Sequence, residues 1–306
     1  MIATKQNSDR QIHRLAAQRQ RYATVKRVFF WQVLIGGPVA IATAVLSLMY
    51  PEAKGYVAAW GLLVTLGDVL WLTPWQKRFR TSAATIQEAF DCDVLQLPWN
   101  ELKAGKPPDP ELVQEQSAKY AKWAHKMPPL QNWYPPCVDE LPIRFGRIVC
   151  QRTNCWWDAT QRRRYAAYWA WAVSLICIAI CVFALSRGST VENLLLQEIV
   201  PFLPLLLIGY RQFTEQRDVA VRLDKLKDHC DTIWKTAMGG GSDEALLAMS
   251  RNLQDEILEN RRKAPSVLDF IFRRFRDDQE TSMDYSAEQY VAEAKKTLDA
   301  KSGPEG

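Results

Sequence analysis

The side chains best suited to binding chemistry lie close together in the middle of the chain. Between residues 144 and 158 the sequence carries three arginines, a glutamine, an asparagine, an aspartate and two tryptophans. Guanidinium groups bind phosphate oxygens in pairs, amide side chains hydrogen-bond to base edges, and indole rings stack on bases. This combination predicts a nucleotide ligand. The predicted contacts are Arg144, Arg147, Gln151, Arg152, Asn154, Trp157 and Asp158.

The same segment also has a purely structural interpretation. At helical spacing Arg144, Arg147 and Gln151 share one face. Side chains on such a face could form a buried network between cytosolic helices instead of binding a ligand. The arginines at 162–164 precede a predicted membrane span, and the positive-inside rule is enough to explain them. The sequence leaves both interpretations open.

Asp68 is the second residue with distinctive chemistry, because it interrupts an otherwise apolar run. A charge near the middle of a membrane span costs at least about 2.5–3.5 kcal/mol, so such residues usually face a bundle interior or a water path. Thr65 shares its helical face, and the preceding run has Gly36, Ala40 and Ala44 at every fourth position, which permits close helix packing. These residues predict a pore lining or an oligomer contact. The alternative is a protonated Asp68 that is hydrogen-bonded to Thr65 or to Gln197 of a neighbouring helix.

Signals of enzymatic chemistry are absent from the sequence. It contains neither a glycine-rich phosphate loop nor a paired metal-ligand motif, and His13, His125 and His229 have no partners by spacing. Cys150 and Cys155 are separated by four residues, which is not the spacing of a zinc knuckle. The sequence therefore predicts no catalytic residue, no metal, no cofactor and no enzymatic activity.

Four apolar runs position these side chains. From Val28 to Pro51 the sequence has no charged residue, and this length can cross a hydrocarbon core of about 30 Å at about 1.5 Å per residue. A short polar turn and a second run to Gln76 complete a hairpin, and a similar pair follows over 165–210. A mean hydropathy of −0.23 would also fit a soluble helix bundle, but the apolar residues are concentrated in these runs. The fold class predicted is an all-α membrane protein, with four transmembrane helices in two hairpins and a helical cytosolic module.

The charge distribution sets the predicted topology. Residues 1–27 carry seven lysines and arginines against one aspartate, while the basic residues of the hairpin turns are Lys54 and Arg187 alone. Basic residues of short loops stay on the cytoplasmic side, so both termini are predicted to be cytoplasmic. The predicted segments are a basic N-terminal helix (1–27), transmembrane hairpin 1 (28–76), a helical and proline-rich cytosolic segment (77–164), transmembrane hairpin 2 (165–210), and cytosolic C-terminal helices with an acidic tail (211–306).

The cytosolic segments have the periodicity of long helices. Apolar residues three and four apart predict a helix over 213–238, which the glycines at 239–241 end. Ser242 is a favourable N-cap for the next helix, which reaches about Lys263. A helix from Lys77 continues the second span, so a shift in the cytosolic module could reach the membrane without a flexible joint.

Several short motifs of this chain resemble those of a known family. They are residues 15–22 (LAAQRQRY) before the first span, 133–135 (WYP), 150–154 (CQRTN), 157–158 (WD) and 163–165 (RRY) before the third span. Together with the two-hairpin layout, these motifs resemble the SMODS-associated four-transmembrane effectors of bacterial anti-phage defence. That class is linked to cyclic-oligonucleotide signalling (CBASS).

The resemblance implies an effector of the bacterial inner membrane. A cyclic nucleotide from a cognate CD-NTase synthase would activate it, and activation would permeabilise the membrane and stop phage propagation by abortive infection. We also expect a homo-oligomer in the lipid bilayer and no DNA or RNA polymer as a partner. The alternative, from another class, is a ligand-independent membrane scaffold or ion-channel subunit.

Overall fold

The computed structural model describes most of residues 1–302. Residues 51, 53, 189, 192, 193, 195–198, 200–202, 268 and 303–306 lie outside the description. The side chains at 40, 44, 47, 48, 54, 58, 203, 204, 269–277, 301 and 302 also lie outside it. In the described part of the chain every regular element is a helix, which confirms the all-α prediction.

The helices of the described residues are numbered in chain order. The α-helices of the described residues are α1 (Ile2–Gln6), α2 (Asp9–Leu34), α3 (Ala40–Met49), α4 (Lys54–Gly67), α5 (Thr73–Leu95), α6 (Glu101–Ala104), α7 (Pro110–Ala121), α8 (Ile143–Ser186), α9 (Leu203–Met238), α10 (Asp243–Lys263) and α11 (Asp269–Ser302). Short 3₁₀ segments cover Ala124–Lys126 and Pro136–Glu140. Wider π-helical turns cover Ile35–Val39 and Asp68–Leu72. The first contains Pro38, which lacks the backbone N–H that a regular helix requires.

Three helical stretches are long and apolar enough to cross a membrane. They are Asp9–Thr43, Gly55–Leu95 and Ile143–Ser186. In α8 the side chains of Trp171 and Leu185 are 70% and 81% exposed, which suits contact with lipid. The predicted fourth span overlaps the residues outside the description between 192 and 202, so it stays a prediction.

The spans continue as helices into the polar part of the protein. We call this part the cytosolic module, because the charge distribution predicts that it lies in the cytosol. α2 passes through residue 27, α8 through residue 164 and α9 through residue 210, and α5 follows directly on the π turn that begins at Asp68. At about 1.5 Å per residue, the 44 residues of α8 extend about 66 Å, which is roughly twice the hydrocarbon thickness. Helices rather than flexible linkers therefore join the membrane part to the cytosolic part.

One apolar core holds the cytosolic parts of these helices together. α8 packs along α9, α2 packs on α5 and α7, and α10 contacts α5, α8 and α9. Leu15, Phe90, Tyr134, Ile148 and Ile233 are fully buried in this core. Burial of each large apolar side chain contributes about 1.5–3 kcal/mol, so the core fixes the positions of the helices that carry polar groups.

The turn between α9 and α10 follows the sequence prediction. α9 ends at Met238, Gly240 has a φ of 95°, and Ser242 Oγ accepts a hydrogen bond from the Ala245 N–H at 3.3 Å. The predicted start of this helix at residue 213 was wrong, because α9 begins at Leu203. Its apolar first turns and its polar remainder form one continuous helix.

Candidate functional site

A cavity of about 230 Å³ lies inside the cytosolic module, where α2, α8 and α10 meet the loop that follows α10. We call it the cytosolic cavity. Its wall carries four basic side chains, three tryptophans and one carboxylate. This composition is suited to an anionic ligand with flat ring systems.

Two helices present most of the polar wall. α2 contributes Arg19, Tyr22 and Lys26, which are three and four residues apart and share one helical face. α8 contributes Asp158 and Arg162, which are one turn apart and line the same cavity. Because both helices are fixed by the core, these side chains keep their relative positions without a ligand.

The charges of the cytosolic cavity are unbalanced. Arg162 Nε lies 2.9 Å from Asp158 Oδ1, the carboxylate in the wall. Arg261 Nη1 lies 2.5 Å from Asp91 Oδ2. Burial by itself lowers the pKa of Arg261, but the Asp91 carboxylate raises this pKa above its ordinary value, so the guanidinium stays charged. With Asp91 counted beside Arg261, four cations face two carboxylates, so the wall keeps a positive potential.

Two indoles of the wall are held in fixed orientations. The Arg19 guanidinium carbon lies 6.0 Å from the centroid of the Trp133 ring, and Arg19 Nη1 donates to the Pro128 carbonyl at 2.7 Å. Trp123 Nε1 donates to Gln20 Oε1 at 2.7 Å. A preorganised aromatic face that stacks on a base contributes about 1–3 kcal/mol.

Amide groups of the wall have hydrogen-bonding capacity left over. Gln18 Nε2 donates to Gln87 Oε1 at 3.1 Å. Gln18 Oε1 and Gln161 Nε2, however, are buried and have no hydrogen-bond partner among the described residues. Because an unpaired buried polar atom costs about 1–3 kcal/mol, a ligand that offers both a donor and an acceptor would be favoured here.

Asp91 also belongs to a buried ionic network, which differs from the cavity. Arg251 Nη2 donates to Glu88 Oε1 at 2.6 Å and to Asp255 Oδ1 at 3.0 Å. Gln254 Nε2 bridges Glu88 Oε2 at 2.9 Å and Asp91 Oδ2 at 3.0 Å. Burial lowers the pKa of Arg251, but the Glu88 carboxylate raises it above its ordinary value. Each carboxylate of this network contacts an arginine, as expected of groups that hold helices together.

A second cavity, of about 1060 Å³, lies nearer the membrane between α2, α4, α5 and α9. We call it the membrane cavity. Gln32 Nε2 donates to Asp68 Oδ1 at 2.5 Å, and Gln32 Oε1 accepts a hydrogen bond from Gln76 Nε2. Thr65 Oγ1 instead donates to the Gly61 carbonyl of its own helix at 2.8 Å. Asp68 is therefore bonded to the first span, at the start of a π turn, a feature common at functional sites.

Gly36 lies where the first span approaches α9. A Cβ atom at Gly36 would be 3.4 Å from Ile208 Cδ1, so a small residue suits this contact. Gly36, Thr65 and Asp68 all line the membrane cavity. The side chains of Ala40 and Ala44 lie outside the description, and their part in helix packing stays a prediction.

Comparison with known proteins identifies the family. A family model described as the SMODS-associating 4TM effector domain matches residues 1–290. The chain belongs to this effector family. It is also 22% identical over 284 residues to a probable CBASS effector molecule of Bacillus cereus (strain VD146), over 90% of this chain and 94% of the relative. No solved structure matches the SMODS-associating 4TM effector described here.

The structure of this effector separates the seven residues that the sequence groups together. Asn154, Trp157 and Asp158 line the cytosolic cavity. They lie toward the membrane end of the segment, and the four residues before them on α8 lie elsewhere. Ligand contact by the three cavity residues stays a prediction.

Two of the remaining four stabilise the ends of neighbouring helices. Arg144 Nη1 donates to Asp243 Oδ1 at 2.5 Å, in the first turn of α10. Arg147 Nε donates to the Leu95 carbonyl at 2.7 Å, and its Nη2 donates to the Gln96 carbonyl at 3.3 Å. Arg147 therefore satisfies carbonyl groups at the end of α5, which would otherwise lack partners.

The other two contact α10, α9 and α11. Gln151 Nε2 donates to the Ser250 carbonyl at 2.8 Å from a fully buried position. Arg152 Nε donates to Asp231 Oδ1 at 2.6 Å, and its guanidinium carbon lies 4.6 Å from the centroid of the Tyr290 ring. These contacts match the structural interpretation of the segment.

Sequence reasoning did not single out five residues of the cytosolic cavity as ligand contacts. Arg19, Lys26, Trp133, Arg162 and Arg261 come from four separate parts of the chain, so no local spacing brings them together. Arg162 is buried, although the positive-inside rule seemed sufficient to explain it. Two of the family-like motifs, at 15–22 and 133–135, contain Arg19 and Trp133. These motifs were the part of the sequence that could have indicated a role for both residues.

The described residues show no arrangement that would bind a metal ion. Among them, no group of three histidine, cysteine or acidic side chains could hold a metal ion. The cysteines are free thiols, and burial raises the pKa of Cys137 to about 11, so this thiol stays protonated at neutral pH. The absence of a metal and of enzymatic activity stays a prediction.

Proposed function

We propose that this chain is a membrane effector of anti-phage defence that a cyclic nucleotide activates. The name of its relative, a probable CBASS effector molecule, supports the defence role. The observation that carries the ligand class is the cytosolic cavity, in which four cations and three indoles surround one carboxylate. A cyclic oligonucleotide offers several phosphates and bases, which match cations and ring faces. In this proposal a cognate CD-NTase synthase supplies the ligand, and the effector binds it without turnover.

The proposed binding mode assigns each class of side chain a role. Lys26 and Arg162 contact phosphates, because they lie on the two helical faces that meet across the cavity. Trp157 stacks on a base, and Asn154 and Gln161 hydrogen-bond to base edges. The unpaired amide of Gln161 supports this assignment, since a base acceptor would satisfy it.

The proposed consequence of binding is a permeable inner membrane and an aborted infection. A ligand shifts the protein toward a permeable state only if it binds that state more tightly. Asp68, the carboxylate that lines the membrane cavity next to the first span, is the group best placed to face a water path. A homo-oligomer of such hairpins, with both termini in the cytoplasm, would assemble the path.

The test compares two neighbouring tryptophans of α8. Trp157 lines the cytosolic cavity, whereas Trp156 is similarly half-buried on the same helix but does not line it. Detergent-solubilised protein is titrated with cyclic di- and trinucleotides of the four common bases, and binding is read by calorimetry. We expect Trp157→Ala to weaken binding about ten- to one-hundred-fold, the loss of one stacked base, while Trp156→Ala binds like the wild type.

The same variants are then tested in liposomes. Wild type and Trp156→Ala should release a trapped dye when the bound nucleotide is added, and Trp157→Ala should need a correspondingly higher concentration. A folded wild-type protein that binds no member of the panel would refute the proposal. Dye release without any nucleotide would instead favour a ligand-independent ion-channel subunit.

A further inference from the structure

The two cavities are separated by one short segment, the loop between α10 and α11. We call residues 264–267 the shared loop. All four residues line the cytosolic cavity, and Pro265 and Ser266 also line the membrane cavity. A change in the position of this loop would therefore alter both cavities at once.

Three consecutive carbonyl groups of the shared loop are each held by a different helix. Arg80 Nη1, on α5, donates to the Ala264 carbonyl at 3.3 Å. Arg162 Nη1, on α8, donates to the Pro265 carbonyl at 3.0 Å. Gln216 Nε2, on α9, donates to the Ser266 carbonyl at 3.3 Å. Each of these helices continues into a span or a predicted span, so the loop is tied to the membrane part at three points.

Gln216 of α9 connects the side chain that faces the ligand cavity to the loop. Its Oε1 accepts a hydrogen bond from Arg162 Nη1 at 2.7 Å, and its Nε2 donates to the Ser266 carbonyl. Gln216 is fully buried and lines neither cavity. One turn earlier on α9, Gln212 lines the membrane cavity. Gln216 is thus a link between the two cavities rather than a part of either.

The shared loop and the α5 arginine that contacts it each have a polar atom that a second arrangement of the loop could satisfy. Arg80 Nε and Ser266 Oγ are buried and have no hydrogen-bond partner among the described residues. Unpaired buried polar atoms raise the free energy of the arrangement that contains them. A small energy difference between two arrangements is what a switch element needs.

We propose that the shared loop transmits occupancy of the cytosolic cavity to the membrane cavity. The proposal rests on the proposed function, in which an anion occupies the cytosolic cavity. That anion attracts the Arg162 guanidinium. When Nη1 shifts toward the anion, its hydrogen bonds to the Pro265 carbonyl and to Gln216 weaken. The loop then moves relative to α9 and α5, and the cytosolic ends of the spans move with it.

The test removes the link without touching either cavity. Gln216→Met keeps the side-chain volume but abolishes both hydrogen bonds. The matched control is Gln11→Met, because Gln11 is 2% exposed, accepts a hydrogen bond from Arg14 at 3.2 Å, donates one to Asp93 at 3.2 Å, and lines neither cavity. Nucleotide affinity and nucleotide-induced dye release from liposomes are measured for both variants and the wild type.

We expect Gln216→Met to bind nucleotide within about three-fold of the wild type but to release dye at least about ten-fold less, the usual size of a coupling term. Gln11→Met should retain both activities. If Gln216→Met does not fold, Gln216→Asn tests the same claim, because the shorter amide cannot reach both the Arg162 guanidinium and the Ser266 carbonyl. Dye release at the wild-type level in either folded variant would overturn the proposal.

A second experiment needs no nucleotide, so its failure differs from failure of the proposed function. Ala23→Glu introduces a carboxylate into the cytosolic cavity, whose wall contains Ala23. Hydrogen exchange should change by about two-fold or more in peptides covering 260–267 and 212–219, and adding Gln216→Met should confine the change to 260–267. An unchanged pattern in Ala23→Glu, or an equal change at 212–219 in the double variant, would contradict the transmission role.

Discussion

Two neighbouring regions of the cytosolic module contain buried arginines, and they differ in the ratio of cations to carboxylates. In the buried network, Arg251 contacts two carboxylates, and Glu88 and Asp91 are completely buried. In the cytosolic cavity, four cations line the wall with Asp158 alone among carboxylates. Residue type alone therefore does not distinguish a structural arginine from one that can bind a ligand. The distinguishing feature is the number of carboxylates that face the cations.

The largest effect on stability should come from a substitution in the buried network. Arg251→Met leaves Glu88 buried without its cation, and removal of one partner of a buried pair costs about 3–5 kcal/mol. We expect a loss of this size in the free energy of unfolding, measured by denaturant titration in detergent. An unchanged midpoint would show that the network does not hold the module together.

A substitution in the wall of the cytosolic cavity should weaken ligand binding more than it lowers the free energy of unfolding. Lys26→Gln removes one of the four cations of the cavity wall, and a hydrogen bond to a charged group contributes about 1.5–3 kcal/mol, so affinity for a cyclic nucleotide should fall about ten-fold or more. The unfolding midpoint should fall by less than that of Arg251→Met. Arg27→Gln, an exposed neighbour that does not line the cavity, is the control and should bind normally. Equal losses of affinity in both variants would show that the overall charge of the protein, and not a contact of Lys26 in the cavity, causes the loss.

The smallest effect on stability should come from an exposed ion pair on α10. Lys263 Nζ lies 2.8 Å from Glu259 Oε1, and this hydrogen bond is the main cause that lowers the pKa of Glu259 below its ordinary value. An exposed pair at this helical spacing contributes about 0.3–0.5 kcal/mol.

The pH dependence of that pair has a definite sign. Because the pKa of Glu259 is lower in the folded state, the stabilisation is present above its unfolded pKa of about 4.3 and is lost as the pH falls through the folded pKa. Lys263→Gln should therefore be slightly less stable than the wild type at pH 7 and equally stable at low pH. A difference that persists in acid would contradict this assignment.

The sequence predicted the elements of this fold better than their boundaries. Uncharged runs indicated the first hairpin and the apolar half of α8, and the glycines at 239–241 with Ser242 indicated the turn into α10. The predicted segment limits at 27, 164 and 210 fall within α2, α8 and α9, because polar and apolar parts of one helix differ in composition but not in backbone conformation.

Sequence reasoning reached the wall of the cytosolic cavity only where one helix supplies it. Asn154, Trp157 and Asp158 were predicted from their residue types within one short segment of α8, but residue types could not show that Arg147 and Arg152 contact other helices. The remaining wall residues come from helices far apart in sequence, and tertiary packing alone brings them together.

Photo-crosslinking tests the central claim most directly, since it reports where the ligand lies. Cyclic di- and trinucleotides that contain 8-azidoadenosine are irradiated with the wild-type protein in liposomes, and labelled peptides are identified by mass spectrometry. The account predicts labelling in residues 18–26, at Trp133 or in residues 154–162, and unlabelled nucleotide should suppress it. Suppressible labelling confined to the surface around Arg144 and Arg152, or to the membrane cavity, would contradict it.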